Sequence, residues 1–186
     1  MKQSTLMSCA AAALLAAAPA AHAADGTITF TGKLSASTCK IDVNGGGAST
    51  SVTLPVVSTN ALAANGSTAG KTAFSIKLTG CAHDESNKVT VRTYFESGPN
   101  VDLATGLLNN TAADGEAAKN VKLALIDPQT NTDIKIGDPS QMANNLAVEV
   151  QPDGTASMPV SVAYRATGAT TGGNVQSAVT YSIIYQ

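Results

Sequence analysis

Asn174-Val175-Gln176-Ser177-Ala178-Val179-Thr180-Tyr181-Ser182-Ile183-Ile184-Tyr185-Gln186 is the stretch that decides how this chain folds. Its odd positions are Val175, Ser177, Val179, Tyr181, Ile183 and Tyr185, five of six apolar or aromatic, whereas only Ala178 and Ile184 of the seven even positions are apolar. Successive side chains of a strand point to opposite faces, so this period of two predicts one long strand with one buried face. No residue follows Gln186, and the expectation is that no later strand covers this edge. A long edge without Pro or an inward Lys pairs readily with other chains unless something covers it.

Residues 24–37 pose the mirror problem. They are Thr-rich and alternating, with Ile28, Phe30 and Leu34 on one face, and Gly32 stands on that face where another bulky residue is expected. The small polar tether Ser35-Ala36-Ser37 then leads to Cys39. A strand without a partner at one end and an uncovered edge at the other point to an exchange between molecules, in which the leading strand of one copy completes the sheet of the next. On these residues alone the competing reading stays open: the leading strand pairs within its own chain and closes an ordinary secreted sandwich.

Between the two ends the same alternation recurs. Cys39, Ile41 and Val43 alternate with Lys40 and Asp42; Phe74, Ile76 and Leu78 with Ser75 and Lys77; Val89, Val91, Thr93 and Phe95 with Thr90 and Arg92. Val121, Leu123 and Leu125 follow the rule, as do Met158, Val160, Val162 and Tyr164. Turn chemistry separates these runs, as in Asn44-Gly45-Gly46-Gly47, Asn65-Gly66-Ser67, Ser97-Gly98-Pro99-Asn100 and Pro152-Asp153-Gly154. Short strands at this spacing predict an all-β antiparallel sandwich or barrel. Only residues 60–64 and 112–118 leave room for a short helix.

The first 23 residues stand apart. Lys2 precedes an Ala-dominated apolar run over residues 6–18, then Pro19 and the small-x-small triplet Ala21-His22-Ala23. That order reads as a secretory signal peptide cleaved after Ala23. The apolar run falls short of the roughly 20 residues a spanning helix needs, and no transmembrane segment is expected in the mature chain. Cleavage leaves ten Lys/Arg against thirteen Asp/Glu, one His and two Cys. Two cysteines in an exported chain read as one disulfide, Cys39–Cys81, worth roughly 4 kcal/mol in the chain-entropy account. The alternative, a pair of metal-binding thiolates, has only His83 nearby to complete it.

The full chain of 186 residues is 44% hydrophobic, 13% charged and 4% aromatic, with a net charge of −2, enough for one substantial core. That near balance lacks the clustered Lys and Arg of a nucleic-acid binder. Enzyme chemistry finds little to work with. His83 sits beside Asp84 and Glu85 in a polar stretch that reads as a solvated turn, and there is no Gly-x-Ser-x-Gly elbow, His pair at metal spacing or phosphate loop. Asp127, Asn131 and Asp133 lack the Gly and terminal Glu of a calcium loop. Asn65-Gly66-Ser67 and Asn109-Asn110-Thr111 match short glycosylation sequons, which arise by chance. No catalytic site, metal site or cofactor is expected.

An ordered set of motifs resembles the chaperone–usher pilins, and among them the major subunits of type 1 fimbriae. It comprises Phe30-x-Gly32-Lys33-Leu34 before Cys39, then Leu78-Thr79-Gly80-Cys81, Thr105-Gly106-Leu107-Leu108-Asn109-Asn110 and Ala118-Lys119-Asn120-Val121-Lys122-Leu123. Tyr164-Arg165-Ala166-Thr167-Gly168, Gly173-Asn174-Val175 and Tyr185-Gln186 complete it. Such pilins carry a Gly fourteen residues from the end and a penultimate Tyr, the places of Gly173 and Tyr185. The resemblance implies an incomplete immunoglobulin-like sandwich over residues 38–186, completed by a donor strand from a 24–37 extension (Ile28, Phe30, Gly32, Leu34). It implies an acceptor groove, also used by a chaperone, formed by Gly173, Val175, Val179, Tyr181, Ile183 and Tyr185. The implied partners are copies of itself and related pilins, a periplasmic chaperone and an outer-membrane usher, and the implied product is an adhesive cell-surface fimbria. A tip adhesin would need a receptor domain ahead of Cys39, where too few residues stand; a minor adaptor pilin or a self-complemented secreted binding module is the alternative.

Overall fold

The computed structural model describes Thr29, Thr31, Gly32 and residues 39–83, 88–144 and 147–186. The chain divides into two units, Met1–Leu34 and Ser35–Gln186. Within the first, Thr29, Thr31 and Gly32 lie in no helix or strand. The expected leader, residues 1–23, and the expected donor residues Ile28, Phe30 and Leu34 lie outside the described residues.

The second unit is all-β. Its strands are β1 (Lys40–Val43), β2 (Thr68–Thr79), β3 (Thr90–Phe95), β4 (Val101–Asp102), β5 (Leu107–Asn109), β6 (Val121–Asp127), β7 (Thr132–Ile134), β8 (Val148–Glu149), β9 (Ala156–Ala166) and β10 (Tyr181–Tyr185). A 3₁₀ turn, Thr59–Leu62, and one short helix, α1 (Gln141–Asn144), interrupt them. The larger sheet runs β1-β2-β9-β6-β5-β4, with β7 also on β6; the smaller runs β10-β3-β8, and every named pair is antiparallel.

Alternation builds the core. Ile76 faces Met158 and Phe74 faces Val160 across β2 and β9, while Leu125 faces Val162 across β6 and β9. These residues join Val91 and Phe95 of β3 in one cluster between the sheets. Residues one step out of phase on β6 and β9, Ala124, Ile126 and Ala163, form a separate small cluster with Leu107 on the other face. Thr68–Thr79 and Ala156–Ala166 are each longer than their alternating apolar residues alone announced.

The Cys39–Cys81 disulfide is present, with Cα atoms 4.4 Å apart. It staples the approach to β1 to the end of β2, adjacent strands in the sheet. After β1 the chain turns at Asn44 (φ 51°) and Gly45 (φ 83°), the pair of positive φ values a tight primed turn requires. On the far side of β3 the buried Gln141 amide substitutes for a neighbouring strand. It accepts from the Phe95 N–H at 3.0 Å and donates to the Phe95 carbonyl at 2.9 Å.

Two expectations change. Residues 112–118 form turns and an isolated bridge, not a helix; the helical turns occur at Thr59–Leu62 and Gln141–Asn144. The terminal strand is also shorter than its pattern. Only Tyr181–Tyr185 pairs as a strand, against β3, while Asn174 makes an isolated bridge and residues 175–180 stay unassigned because, among the described residues, no strand runs beside them.

Candidate acceptor groove

Hydrogen bonding sorts the terminal segment into two sets. Thr90 and Gln186 exchange both backbone bonds, at 3.0 and 2.9 Å, and the Glu96 N–H reaches the Thr180 carbonyl at 2.9 Å. In an antiparallel pair such bonded positions alternate with positions whose N–H and C=O point the other way. Even residues of β10 therefore face β3, and Tyr181, Ile183 and Tyr185 direct their backbone groups away from it. β10 is the last strand of its sheet on that side.

Residues 174–180 continue the same rule without a strand partner. The Ala118 N–H donates to the Asn174 carbonyl at 2.9 Å, and the Asn174 N–H to the Glu116 carbonyl at 2.6 Å. The Asn110 side chain accepts from the Gln176 N–H, and the Thr111 N–H and hydroxyl both reach the Gln176 carbonyl. Asn100 Nδ2 donates to the Ala178 carbonyl at 3.1 Å. Among the described residues, no hydrogen bond reaches the backbone of Val175, Ser177, Val179, Tyr181, Ile183 or Tyr185. The five apolar and aromatic members of that row are half-buried against the main core. Ser177 Oγ, the one polar group in the row, is buried without a partner among the described residues.

Gly173 stands at the head of this edge for a steric reason. A Cβ there would lie 2.5 Å from the Ala118 nitrogen, 2.6 Å from the Glu116 oxygen and 2.8 Å from the Ala117 carbonyl carbon. All three are backbone atoms that no rotamer change moves. Only a residue without a side chain lets the chain run against 116–118 and make the parallel bridge Ala117–Asn174.

The opposite rim is residues 48–57, which form no strand. Val52 and Leu54 pack on the same core as the terminal row. Among the described residues, the backbone of 49–54 takes no backbone hydrogen bond. Two tyrosines hold this rim. The Tyr181 hydroxyl donates to the Ala48 carbonyl, and the Tyr164 hydroxyl donates to the Pro55 carbonyl at 3.2 Å. Tyr164 lies over Gly70, at a bulge in β2, where a Cβ would sit 2.8 Å from the ring. Burial raises the hydroxyl pKa of Tyr164, Tyr181 and Tyr185. At one end the rims open into a cleft of about 380 Å³, lined by Val56, Val57 and Leu62 on one side, Gly173 and Val175 on the other, and Tyr164 and Val121 between. Val56 is fully exposed.

Neither rim carries a charged side chain: no Asp, Glu, Lys or Arg occurs in residues 43–70 or 166–186. The ion pairs lie elsewhere, as Lys122 with Asp102 and Arg165 with Asp133 on the larger sheet.

The structure thus brings Val175, Val179, Tyr181, Ile183 and Tyr185 onto one edge, with Gly173 at its head, and joins Cys39 to Cys81. Gly32 itself is assigned to no strand. Sequence reading missed the second rim and the polar side chains, Asn100, Asn110 and Thr111, that hold residues 174–180. The Val52-x-Leu54 alternation is a faint signal for the rim; Asn110 stands out in the sequence only within a sequon and a family motif.

A family model described as "Type-1 fimbrial protein, A" matches residues 54–186. The major fimbrial subunit SMF-1 of Stenotrophomonas maltophilia (strain K279a) is 46% identical over 175 residues, covering 92% of this chain and 99% of that protein. The F17 fimbrial protein of Escherichia coli is 37% identical over 174 residues, covering 92% and 93%. Among solved structures, the P pilus rod subunit PapA superposes with a TM-score of 0.58 at 17% identity, covering 80% of this chain and 99% of that one. A chaperone–usher pilus structure that addresses rod uncoiling gives 0.55 at 18% identity, covering 91% and 100%. The fold they share is the incomplete immunoglobulin-like sandwich of pilus subunits.

Proposed function

The chain belongs to the type-1 fimbrial protein family, and from that premise we propose that it is a structural subunit of a surface fimbria, polymerising by strand donation from copy to copy. One observation carries the reading. A row of backbone groups unpaired among the described residues and a row of half-buried apolar side chains lie on the same edge, at Val175, Val179, Tyr181, Ile183 and Tyr185. An extended segment laid along that edge gains main-chain hydrogen bonds from the first row and core contacts from the second.

The leading segment of another copy has the complementary pattern. Ile28, Phe30 and Leu34 each gain roughly 1.5–3 kcal/mol on full burial. Gly32 interrupts that apolar row and lets the donated backbone approach the groove closely. Donor and acceptor are different surfaces, so the contact is heterologous and does not close on itself, which yields a filament. Before assembly the open edge is an aggregation hazard, and a periplasmic chaperone that lends a strand, followed by an outer-membrane usher, covers it in transit. Residues 1–23 direct export, and the filament stands on the cell surface as a scaffold for adhesion, without chemistry of its own.

The test is assembly of the mature chain with and without residues 24–34. The intact chain yields SDS-resistant, heat-dissociable multimers, and the deletion yields none. An equal ladder from both overturns the reading.

A further inference from the structure

The Asn110 side chain makes four hydrogen bonds, and their pattern is that of a backbone. Its Nδ2 donates to the Asn174 carbonyl at 2.9 Å and to the Ala118 carbonyl at 3.0 Å. Its Oδ1 accepts from the Gln176 N–H at 2.9 Å and the Ala112 N–H at 3.1 Å. Two carbonyls on one side and two N–H groups on the other fix the orientation of the amide, since the flipped form would set donor against donor. A residue of a parallel neighbouring strand opposite Val175 would donate to carbonyl 174 and accept from N–H 176. The Asn110 amide makes both bonds from a single planar group. The adjoining parallel bridge, Ala117–Asn174, lies at the same place in the chain.

We infer that Asn110 is the positioning residue of the acceptor edge: its side chain replaces a missing strand beside Val175 and keeps residues 174–178 extended, with their odd backbone groups turned outward to meet an incoming strand. This rests on the strand-donation reading above. The need is local. Residues 181–185 are held straight by five register pairs with β3, whereas 175–179, between the Ala117–Asn174 bridge and the Glu96–Thr180 bond, have no ladder and depend on Asn110, Thr111 and Asn100. Of these, Asn110 alone bonds two successive even positions. Once a donated strand lies along the other side of 174–178, that strand itself keeps the segment extended. Asn110 therefore matters most for capture and least for the finished joint.

The experiment uses the mature full chain, residues 24–186, as wild type, Asn110→Ala and Asn110→Asp. Aspartate keeps the acceptor for Gln176 and Ala112 but sets carboxylate oxygens against two carbonyls, and it serves if the alanine variant folds poorly. Three quantities are read: amide exchange at Gln176, the rate of SDS-resistant multimer growth, and the temperature at which multimers dissociate. One net hydrogen bond corresponds to roughly a two- to tenfold change, so both variants are expected to speed Gln176 exchange and slow multimer growth by about that factor. The dissociation temperature stays close to wild type. Unchanged Gln176 exchange and growth in either folded variant overturn the role of Asn110 and leave strand donation standing. Growth rate and dissociation temperature falling together, with exchange faster across all strands, also overturn it, because Asn110 is then a general stabiliser. Failure of the wild type to form multimers defeats strand donation, and exchange at Gln176 then decides whether Asn110 holds the edge.

Discussion

The Tyr181 hydroxyl donates to the Ala48 carbonyl at 2.7 Å, joining the terminal strand to the opposite rim across 133 positions of sequence. One side chain thus both packs in the core and sets the separation of the two borders. The second tie, Tyr164 to Pro55, acts on the same rim further along the chain.

Tyr181→Phe keeps the ring and removes the tie. The loss is about 0.5–1.5 kcal/mol, the net worth of one hydrogen bond, read as a lower thermal midpoint. Backbone order parameters of residues 48–54 fall in the variant while those of β6 and β9 do not change. A variant with wild-type order parameters over 48–54 shows that this rim is held by packing alone.

Gly173→Ala and Gly172→Ala differ by one position and are expected to differ sharply in effect. The first sets a methyl 2.5–2.8 Å from backbone atoms of 116–118; the second meets nothing within 4 Å. Overpacking of this kind costs roughly 1–3 kcal/mol. Denaturant midpoints compare the pair, and equal values contradict the close-approach account.

Stability responds to pH at both extremes. Burial holds the Tyr164, Tyr181 and Tyr185 hydroxyls above their ordinary 10.0, so the folded chain keeps protons that the unfolded chain releases. Their contribution is fully present below pH 10 and is lost as pH rises through the folded values. The Asp102 carboxyl is lowered from 3.8 to about 2, first by its hydrogen bond from Lys122 and then by that from Thr105. That contribution is present above 3.8 and is lost as pH falls through about 2. Thermal midpoints over the whole range check both limbs, and Asp102→Asn makes the acid one shallower, while Asp138 and Asp153, whose carboxyls are lowered by hydrogen bonds from Ser140 and Thr155, keep their shares.

Cys39→Ser opens a 42-residue span and removes about 4 kcal/mol of constraint on the unfolded chain. Folded yield after export falls accordingly. Wild-type yield from this variant makes the bridge incidental.

Gly32→Leu adds a branched side chain at a position that the sequence alternation sets in phase with Ile28, Phe30 and Leu34. If that row enters a tight groove, multimer growth slows markedly while the subunit's own thermal midpoint does not change. Growth at the wild-type rate removes the steric role from Gly32.

What the sequence displayed followed from periodicity. β1, β2, β3, β6 and β9 each turn one face to the main core, so their apolar residues repeat every second position there and the strands were legible without a structure, although β6 and β9 also bury Ala124, Ile126 and Ala163 on the other face. The odd row from Val175 to Tyr185 was legible for the same reason. Its length as a strand was not, because a ladder needs a neighbour, and 174–180 run beside turns and side chains. β4 and β8 are two residues long, too short for any period to show. The rim at 48–57 hid behind Pro55 and a Ser/Thr-rich stretch. Asn110 left no pattern, since a side chain that bonds backbone does so through local geometry that no spacing rule encodes.

The stretches 43–70 and 166–186, without charged side chains, leave salt with little to screen. In the proposed assembly, a joint closed between them is gripped by desolvation and by the peptide chain itself, so brine or fresh water would slacken it equally little. Mechanical pull, not ionic strength, is then the agent most able to tear one neighbour from the next.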